Sequence, residues 1–187
     1  ELSSYCRADC LYCGLRRSNR TAERYRLTAE EVMECCKEGY ALGFRTFVLQ
    51  GGEDGTHSDD WLVELLSRMR SLYPDVAITL SLGERSEESY IRLRRAGANR
   101  YLLRHEAANE TLYDSLHPSG RGIKHRLGCI EALQRADYQV GMGMMIGVKG
   151  QTTEHIVEDL KLIERYRPQM VGIGPFLPHH ATPLGNE

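Results

Sequence analysis

The sequence CRADCLYC, residues 6–13, places three cysteines within eight residues, at the spacing CxxxCxxC. Three thiolates on so short a loop can each bind one iron of a cubane 4Fe-4S cluster. No fourth cysteine lies close to Cys6, Cys10 and Cys13, because the next two are Cys35 and Cys36. The spacing therefore predicts a cluster whose fourth iron is open to another molecule.

Two other kinds of site are compatible with the cysteine spacing taken alone. A zinc ion can be bound by three cysteines together with a distant histidine or cysteine. Cys10 and Cys13 alone have the CxxC pattern of a redox-active pair. The context favours the cluster, because the aromatic Tyr12 precedes the last cysteine and a long series of strands and helices follows.

Beyond the cysteines, segments typical of buried strands alternate with segments typical of amphipathic helices. The predicted strands are 46–50, 76–82, 99–104, 138–146 and 170–173, and residues 1–4 are a candidate for the end of another. Thr28 and Glu31 form a capping box at the start of the first helix, and Ser58 and Ser86 are predicted to begin two later helices. This alternation predicts an α/β fold built from parallel βαβ units.

Residues of chemical interest come directly after the predicted strands. They are Gly51-Gly52-Glu53, Gly83-Glu84, His105-Glu106 and Gly174-Pro175. The loops that follow the strands form the active site of a (β/α) barrel. We therefore expect a partial TIM-like (β/α) barrel with a parallel sheet and about six βα units. An open doubly wound sheet is the alternative that the strand count leaves open.

The composition narrows the choice of partners and compartment. Lysine and arginine number 24 against 26 aspartates and glutamates, so the sequence lacks the basic excess typical of nucleic-acid-binding proteins. No apolar segment approaches the length of a membrane span, and no signal-peptide pattern is present. We expect a cytoplasmic protein that binds neither nucleic acid nor membranes. Cysteines clustered in such a chain are more typical of metal ligands than of disulfides.

The remaining cysteines and a histidine pair are expected to have structural roles. Cys35 and Cys36 lie in the apolar stripe of a predicted helix, and Cys129 lies beside apolar residues of another, so all three are expected in the core. Adjacent histidines on an extended segment point in different directions. We therefore expect His179 and His180 to belong to a loop rather than to bind one metal ion together.

Three polar residues near the end of the third strand are ambiguous. Arg104 and Glu106 alternate along the strand and are expected to share the barrel interior, where an ion pair between them is one outcome. His105 either reaches the cavity or makes a structural hydrogen bond.

Five stretches spread over nearly the whole chain resemble the radical SAM superfamily, in the order found there. They are residues 6–16 (CRADCLYCGLR), 49–54 (LQGGED), 79–84 (TLSLGE), 101–106 (YLLRHE) and 171–178 (VGIGPFLP). CxxxCxxC is typical of the superfamily as a whole, whereas the other strings are most similar to FeFe-hydrogenase maturases of the HydE type. The resemblance implies that residues 1–187 are a radical SAM core domain. The chain begins without methionine and stops before the last barrel strands, so we expect a fragment truncated at both ends.

The resemblance implies a site for a 4Fe-4S cluster and S-adenosylmethionine (SAM), with Cys6, Cys10 and Cys13 as the cluster ligands. The residues implied to contact SAM are Tyr12, Gly51, Gly52, Glu53, Ser81, Glu106, Arg126, Met145 and Leu177. Arg126 suits the SAM carboxylate, since a planar guanidinium pairs with a carboxylate through two hydrogen bonds. Thr79 and Arg100, deeper in the barrel, are implied to hold an anionic or metal-bound substrate.

The implied reaction is reductive cleavage of SAM into methionine and a 5′-deoxyadenosyl radical, which attacks a substrate inside the barrel. The resemblance implies a small organometallic or amino-acid-derived substrate, a reduced ferredoxin or flavodoxin as electron donor, and other hydrogenase maturases as partners. Within the superfamily, the alternative is an enzyme of the biotin synthase or methylornithine synthase type. Outside it, the alternative is a zinc-stabilised or electron-transfer domain without SAM chemistry, which would have no use for Gly51-Gly52-Glu53 together with Arg126.

Overall fold

Five strands alternate with six helices in residues 1–185, the part of the chain that the computed structural model describes. The strands are β1 (Thr46–Gln50), β2 (Ala77–Ser81), β3 (Arg100–Leu102), β4 (Gln139–Ile146) and β5 (Met170–Pro175). The helices are α1 (Ala29–Ala41), α2 (Asp59–Leu72), α3 (Glu87–Arg95), α4 (Glu110–Leu116), α5 (Gly122–Arg135) and α6 (Thr153–Tyr166). None of these helices is long and apolar enough to cross a membrane. The five predicted strands are all present, with ends shifted by at most two residues.

The strand order distinguishes between the two folds that the sequence left open. A doubly wound sheet reverses its strand order at a switch point and carries helices on both faces. Here all strands are parallel and lie in the order β1-β2-β3-β4-β5, so neighbours in the chain are neighbours in the sheet. This is the topology of a (β/α) barrel, in which each helix returns the chain to the next strand. The sheet curls into half of such a barrel.

The two faces of the sheet differ in burial. On the convex face, Ile78, Leu80 and Tyr101 are fully buried in the main apolar core, which includes residues of the surrounding helices. The alternate residues point to the concave face, where Val48 is 53% exposed and Arg100 is half-buried. The concave face is therefore the lumen of the half barrel, where Arg100 is partly accessible and Thr79 is buried.

Helix starts follow the capping residues that the sequence predicts. The Thr28 side chain accepts a hydrogen bond from the N–H of Glu31, whose carboxylate accepts one from the N–H of Thr28, so the capping box of α1 is complete. Ser58 and Ser86 cap α2 and α3 with their side chains. Beyond α1, Gly43 has a φ of +95°, which glycine adopts without steric cost.

The first residues join the sheet through single bridges rather than as a strand. Ser3 pairs in parallel with Gly51 and antiparallel with Arg26, and the N–H of Leu2 donates to the carbonyl of Gln50 at 2.6 Å. The candidate sixth strand is thus a short bridge. It places the following cysteine loop beside the carboxyl end of β1.

One expectation about the core is wrong. Cys35 is exposed, whereas Cys36 and Cys129 are buried as predicted. The buried stripe of α1 consists of Val32, Met33 and Cys36, spaced by one turn of helix. Cys35 lies outside that stripe and faces solvent.

Candidate functional site

The cysteine loop is fastened to two different elements. The N–H of Glu53, just after β1, donates a hydrogen bond to Sγ of Cys6 at 3.3 Å. The N–H of Leu11 donates to the carbonyl of Leu116, the last residue of α4, at 2.9 Å. All three cysteines of the motif are half-buried and none of them forms a disulfide. The loop therefore presents free thiols from a defined position at the carboxyl end of the sheet.

Gly52 is the point at which the cysteine loop and the sheet approach most closely. A Cβ at this residue would lie 2.3 Å from the carbonyl oxygen of Tyr5 and 2.6 Å from Cβ of Cys6. Both distances are too short for any side chain to be accommodated without movement of the backbone. At Gly51 the nearest atoms would lie at an ordinary 3.6 Å. Of the two adjacent glycines, Gly52 is the one that the packing requires.

The thiols have the chemistry of metal ligands. Burial raises the pKa of the Cys10 thiol to about 12 and also raises the pKa of Cys13. Thiolates at these buried positions need a bound cation to offset the loss of solvation, and metal ions bind cysteine as the thiolate.

The separation of the sulfur atoms bears on whether the loop suits a cluster or a single zinc ion. A tetrahedral zinc ion holds its sulfur ligands about 4 Å apart, because each Zn–S bond is about 2.3 Å long. In residues 1–185 the Sγ atoms of Cys6, Cys10 and Cys13 do not all lie within 4.8 Å of one another. A cluster does not need them to, because each sulfur binds a different iron. The donor set thus fits a 4Fe-4S cluster.

Glu53 is held by the loops that follow two neighbouring strands. Its Oε2 accepts a hydrogen bond from Nε of Arg7 at 3.2 Å, and its Oε1 accepts one from the N–H of Glu84 at 3.2 Å. The side chain packs over Gly83, where a Cβ would lie 2.3 Å from Cγ of Glu53. Gly83 also has a φ of +72°, which favours glycine. The loops after β1 and β2 therefore form one interlocked unit.

Arg126 of α5 brings a positive charge to the same place. Its Nε lies 3.0 Å from Oε1 of Glu84 and donates to Oη of Tyr113 at 3.2 Å. Burial acts to lower the pKa of Arg126, but Tyr113 and Glu84 outweigh it and raise the pKa. A cleft of about 290 Å³ is lined by Cys10, Glu53, Glu84 and Arg126, among others. The structure therefore brings a predicted cluster ligand and two predicted SAM residues together.

Glu106 adopts a left-handed backbone conformation, with a φ of +65°. Its N–H donates to the carbonyl of Gly143 at 2.9 Å, and its carbonyl accepts from the N–H of Met145 at 3.3 Å. Burial raises the pKa of Glu106, and the positive charge of Arg104 opposes that rise. Nε of Arg104 lies 3.4 Å from Oε2 of Glu106, so the ion pair considered from the sequence is present.

His105 has a structural role. Its Nε2 lies 3.1 Å from Oδ1 of Asp159 on α6, and both side chains are fully buried. The same Oδ1 accepts a hydrogen bond from the N–H of Ala108 at 2.6 Å. The Asp159 carboxylate thereby fastens the turn 105–108, which carries Glu106. Of the two roles considered for His105, the structural hydrogen bond is the one observed.

Tyr12 contacts a histidine that the sequence did not single out. Its hydroxyl donates to Nε2 of His117 at 2.9 Å, because Nδ1 of that ring carries the proton donated to the carbonyl of Tyr113 at 2.8 Å. Burial lowers the pKa of His117 to about 4, so the ring is neutral at neutral pH. Met145 belongs to the small apolar cluster against which Tyr12 packs. In the sequence His117 stands alone before Pro118, and no motif spacing indicates its contact with Tyr12.

Ser81, Leu177, Thr79 and Arg100, the other predicted site residues, are not among the residues that line the cleft beside the cysteine loop. Ser81 ends β2, level with Gln50. Leu177 follows β5, and its side chain is 76% exposed. Thr79 and Arg100 are paired in register on β2 and β3, two residues deeper than Ser81. The structure therefore separates the two substrate candidates from the cysteine loop by depth in the lumen.

Comparison with known proteins places the chain among enzymes of one superfamily. The chain is 44% identical over 187 residues to the FeFe-hydrogenase maturase subunit HydE of Thermotoga maritima, which covers 100% of this chain and 53% of that protein. It is 30% identical over 184 residues to 3-methylornithine synthase of Methanosarcina acetivorans, covering 97% of this chain and 51% of that protein. The chain thus spans about half the length of the curated relatives it matches.

A solved structure agrees with these sequence matches. The crystal structure of methylornithine synthase (PylB) superimposes with a TM-score of 0.93 at 30% identity, covering 100% of this chain and 55% of that one. The family model described as the Radical SAM superfamily matches residues 1–163. Since that match covers most of the chain, the protein belongs to the radical SAM superfamily.

Proposed function

We propose that residues 1–187 are the core domain of an enzyme that cleaves SAM reductively to begin radical chemistry. The observation that carries this proposal is the loop of three half-buried free thiols, held to the sheet by the hydrogen bond from Glu53 to Cys6. Membership of the superfamily implies a 4Fe-4S cluster and SAM as cofactors. The cleft beside the loop contains a carboxylate and a guanidinium, which suits a ligand with both an ammonium and a carboxylate group.

Cys6, Cys10 and Cys13 would hold the cluster, each through one iron. When bound, the cluster supplies the electron that splits SAM into methionine and a 5′-deoxyadenosyl radical. The N–H of Glu53 donates a hydrogen bond to Sγ of Cys6 and so orients this ligand. The partly buried ring of Tyr12 packs against apolar residues and limits access of water to the same loop.

Two charged side chains in the cleft match the two charged groups at the amino-acid end of SAM. Glu53 would accept hydrogen bonds from the ammonium, and Arg126 would pair with the carboxylate. Arg7 and Glu84 hold these two side chains in position, so less ordering is needed when SAM binds. Contacts with SAM are also proposed, on the family likeness, for Tyr12, Gly51, Gly52, Ser81, Glu106, Met145 and Leu177.

The test is anaerobic iron–sulfur reconstitution followed by EPR of the dithionite-reduced protein, with and without SAM. We expect a reduced 4Fe-4S signal that changes when SAM is added, and formation of 5′-deoxyadenosine. Cys10→Ser should abolish the 4Fe-4S signal and the formation of 5′-deoxyadenosine. Cys35→Ser, at an exposed cysteine on α1, should retain the signal and the product. Uptake of zinc by the loop, or a cluster signal indifferent to SAM, would overturn the proposal.

We further propose that the reaction serves maturation of FeFe-hydrogenase. The support is the 44% identity to a HydE subunit over the whole chain. In this role the substrate is a small organometallic or amino-acid-derived molecule, held in the lumen by Thr79 and Arg100. The electron donor is a reduced ferredoxin or flavodoxin, the other hydrogenase maturases are partners, and the compartment is the cytoplasm. The test is complementation of a bacterium that lacks its own HydE. The protein should restore hydrogenase activity, whereas its Cys10→Ser variant should not.

A second candidate is rearrangement chemistry of the methylornithine synthase type. It is supported by the TM-score of 0.93 and the 30% identity to that enzyme. Both candidates use the same cleft for SAM, so the discriminating positions are those in the lumen, Thr79 and Arg100. Failure to restore hydrogenase activity, together with formation of methylornithine by the purified enzyme, would favour the second candidate.

A further inference from the structure

A second set of metal-binding side chains lies next to the cleft but outside the cysteine loop. Glu84, His125 and Cys129 each offer one donor atom, and these atoms all lie within 4.8 Å of one another. His125 and Cys129 are four residues apart on α5 and so share one face of that helix. Glu84 reaches them from the loop after β2. From this geometry we propose that the three side chains bind a zinc ion.

The distances between the donor atoms agree with tetrahedral zinc. Bonds of about 2.0 Å to nitrogen or oxygen and about 2.3 Å to sulfur imply separations of about 3.3 Å for an N–O pair and about 3.6 Å for an N–S pair. Here Nε2 of His125 lies 3.3 Å from Oε2 of Glu84 and 3.7 Å from Sγ of Cys129. These two distances therefore match the separations that a bound zinc ion requires.

The charges and ligand types also suit zinc. A thiolate, a carboxylate and a neutral imidazole carry two negative charges, which balance the ion, and imidazole with thiolate is a ligand combination that zinc prefers. Oε1 of Glu84 can stay paired with Arg126 while Oε2 of the same carboxylate binds the ion. Zinc would thus tie α5 to the loop after β2, whose Glu84 also pairs with Arg126.

One neighbouring cation competes with the ion. Nη1 of Arg121 lies 3.0 Å from Nε2 of His125, the atom that would bind zinc. Arg121 is exposed and can turn into solvent at little cost. Removal of its charge should therefore strengthen zinc binding.

The experiment uses the protein with its cluster cysteines already loaded with iron, so that they do not take up zinc. Zinc is added by equilibrium dialysis, and the bound metal is measured by elemental analysis and by zinc K-edge X-ray absorption. We expect one zinc per chain, with a single sulfur and two or three nitrogen or oxygen neighbours. His125→Ala and Cys129→Ser should weaken zinc binding at least tenfold, and Arg121→Ala should strengthen it severalfold.

His125 is partly exposed, so its variant tests the site even if Cys129→Ser fails to fold. His180→Ala and Cys35→Ser are the matched controls, because both residues are exposed and lie on other elements. Zinc with three sulfur neighbours, zinc binding unaffected by His125→Ala, or weaker binding in Arg121→Ala would each overturn the proposal. So would a loaded protein that takes up no zinc. The proposed SAM cleavage is read separately from the EPR signal and survives any of these results.

Discussion

Glu84 and Arg126 form a buried ion pair, with 3.0 Å between Oε1 and Nε and only 10% and 14% of the two side chains exposed. The pair joins the loop after β2 to α5, two elements that are far apart in the sequence. It also holds the guanidinium beside Cys10 in the cleft. Arg126, the residue predicted to bind the SAM carboxylate, is thus positioned by Glu84, which the sequence placed at a strand end without a predicted contact to SAM.

Glu84→Gln should therefore affect both stability and the proposed binding of SAM. It leaves the buried charge of Arg126 without its partner, which costs about 3 kcal/mol of unfolding free energy. The apparent KM for SAM should rise roughly tenfold, as for loss of other positioning partners. Urea unfolding and SAM-dependent formation of 5′-deoxyadenosine measure the two effects.

Glu87→Gln is the matched control for this prediction. Glu87 pairs with Arg135 at 2.8 Å, but about half of each side chain is exposed. Loss of this solvent-screened pair should change stability by less than about 0.5 kcal/mol. If Glu84→Gln and Glu87→Gln lost the same unfolding free energy, burial of the Glu84–Arg126 pair would not increase its contribution to stability.

Gly52→Ala should displace the cysteine loop. The added Cβ would lie 2.3 Å from the carbonyl of Tyr5, so the backbone must move, at a cost of about 1–3 kcal/mol. Iron content after reconstitution should fall to roughly half or less. Gly55→Ala, where no atom lies within 4 Å of the new Cβ, should leave the stability and the iron content unchanged. Normal iron loading of Gly52→Ala would contradict the close approach.

Asp159→Ala should loosen the turn that carries Glu106. The change leaves the buried His105 ring and the N–H of Ala108 without their acceptor, which costs about 2–4 kcal/mol. Glu158→Ala, which removes only an exposed bond to Asn109 at 3.1 Å, should cost less than about 0.5 kcal/mol. Thermal unfolding of the two variants distinguishes them, and similar melting temperatures would refute the prediction.

The neutral, buried ring of His117 should make stability depend on pH. Its pKa is about 4 in the folded protein against 6.5 in the unfolded chain, so the unfolded state binds more protons between these values. Stability is therefore complete above pH 6.5 and falls as the pH drops towards 4. Between pH 7 and 4.5 the loss from this one group is about 2–3 kcal/mol.

Urea unfolding at several pH values measures this dependence, with His117→Gln as the test variant. Glutamine does not titrate, so the variant should lose about 2–3 kcal/mol less than the parent protein on acidification. His180→Gln, in an exposed loop, should follow the parent protein. An unchanged pH profile in His117→Gln would show that this ring does not limit stability in acid.

Residues close together in the sequence account for the features that sequence reasoning predicted well. The strand 46–50, the capping box of Thr28 and Glu31, and the helix starts at Ser58 and Ser86 all agree with the structure. Each depends on hydrogen bonds or side-chain periodicity within a few residues. The error at Cys35 has a different origin, since the face of α1 that is buried is set by what the helix packs against rather than by its composition.

The amino-acid sequence by itself determined the loop of three cysteines, the alternation of strands and helices, and the resemblance to the radical SAM superfamily. Only the tertiary structure decided that Glu84 positions Arg126, that His117 receives the Tyr12 hydroxyl, and that His125 and Cys129 converge on Glu84. The physical reason is that these contacts join side chains from separate elements. Their distances depend on how the helices pack against a curved parallel sheet, and no local spacing in the chain encodes that packing.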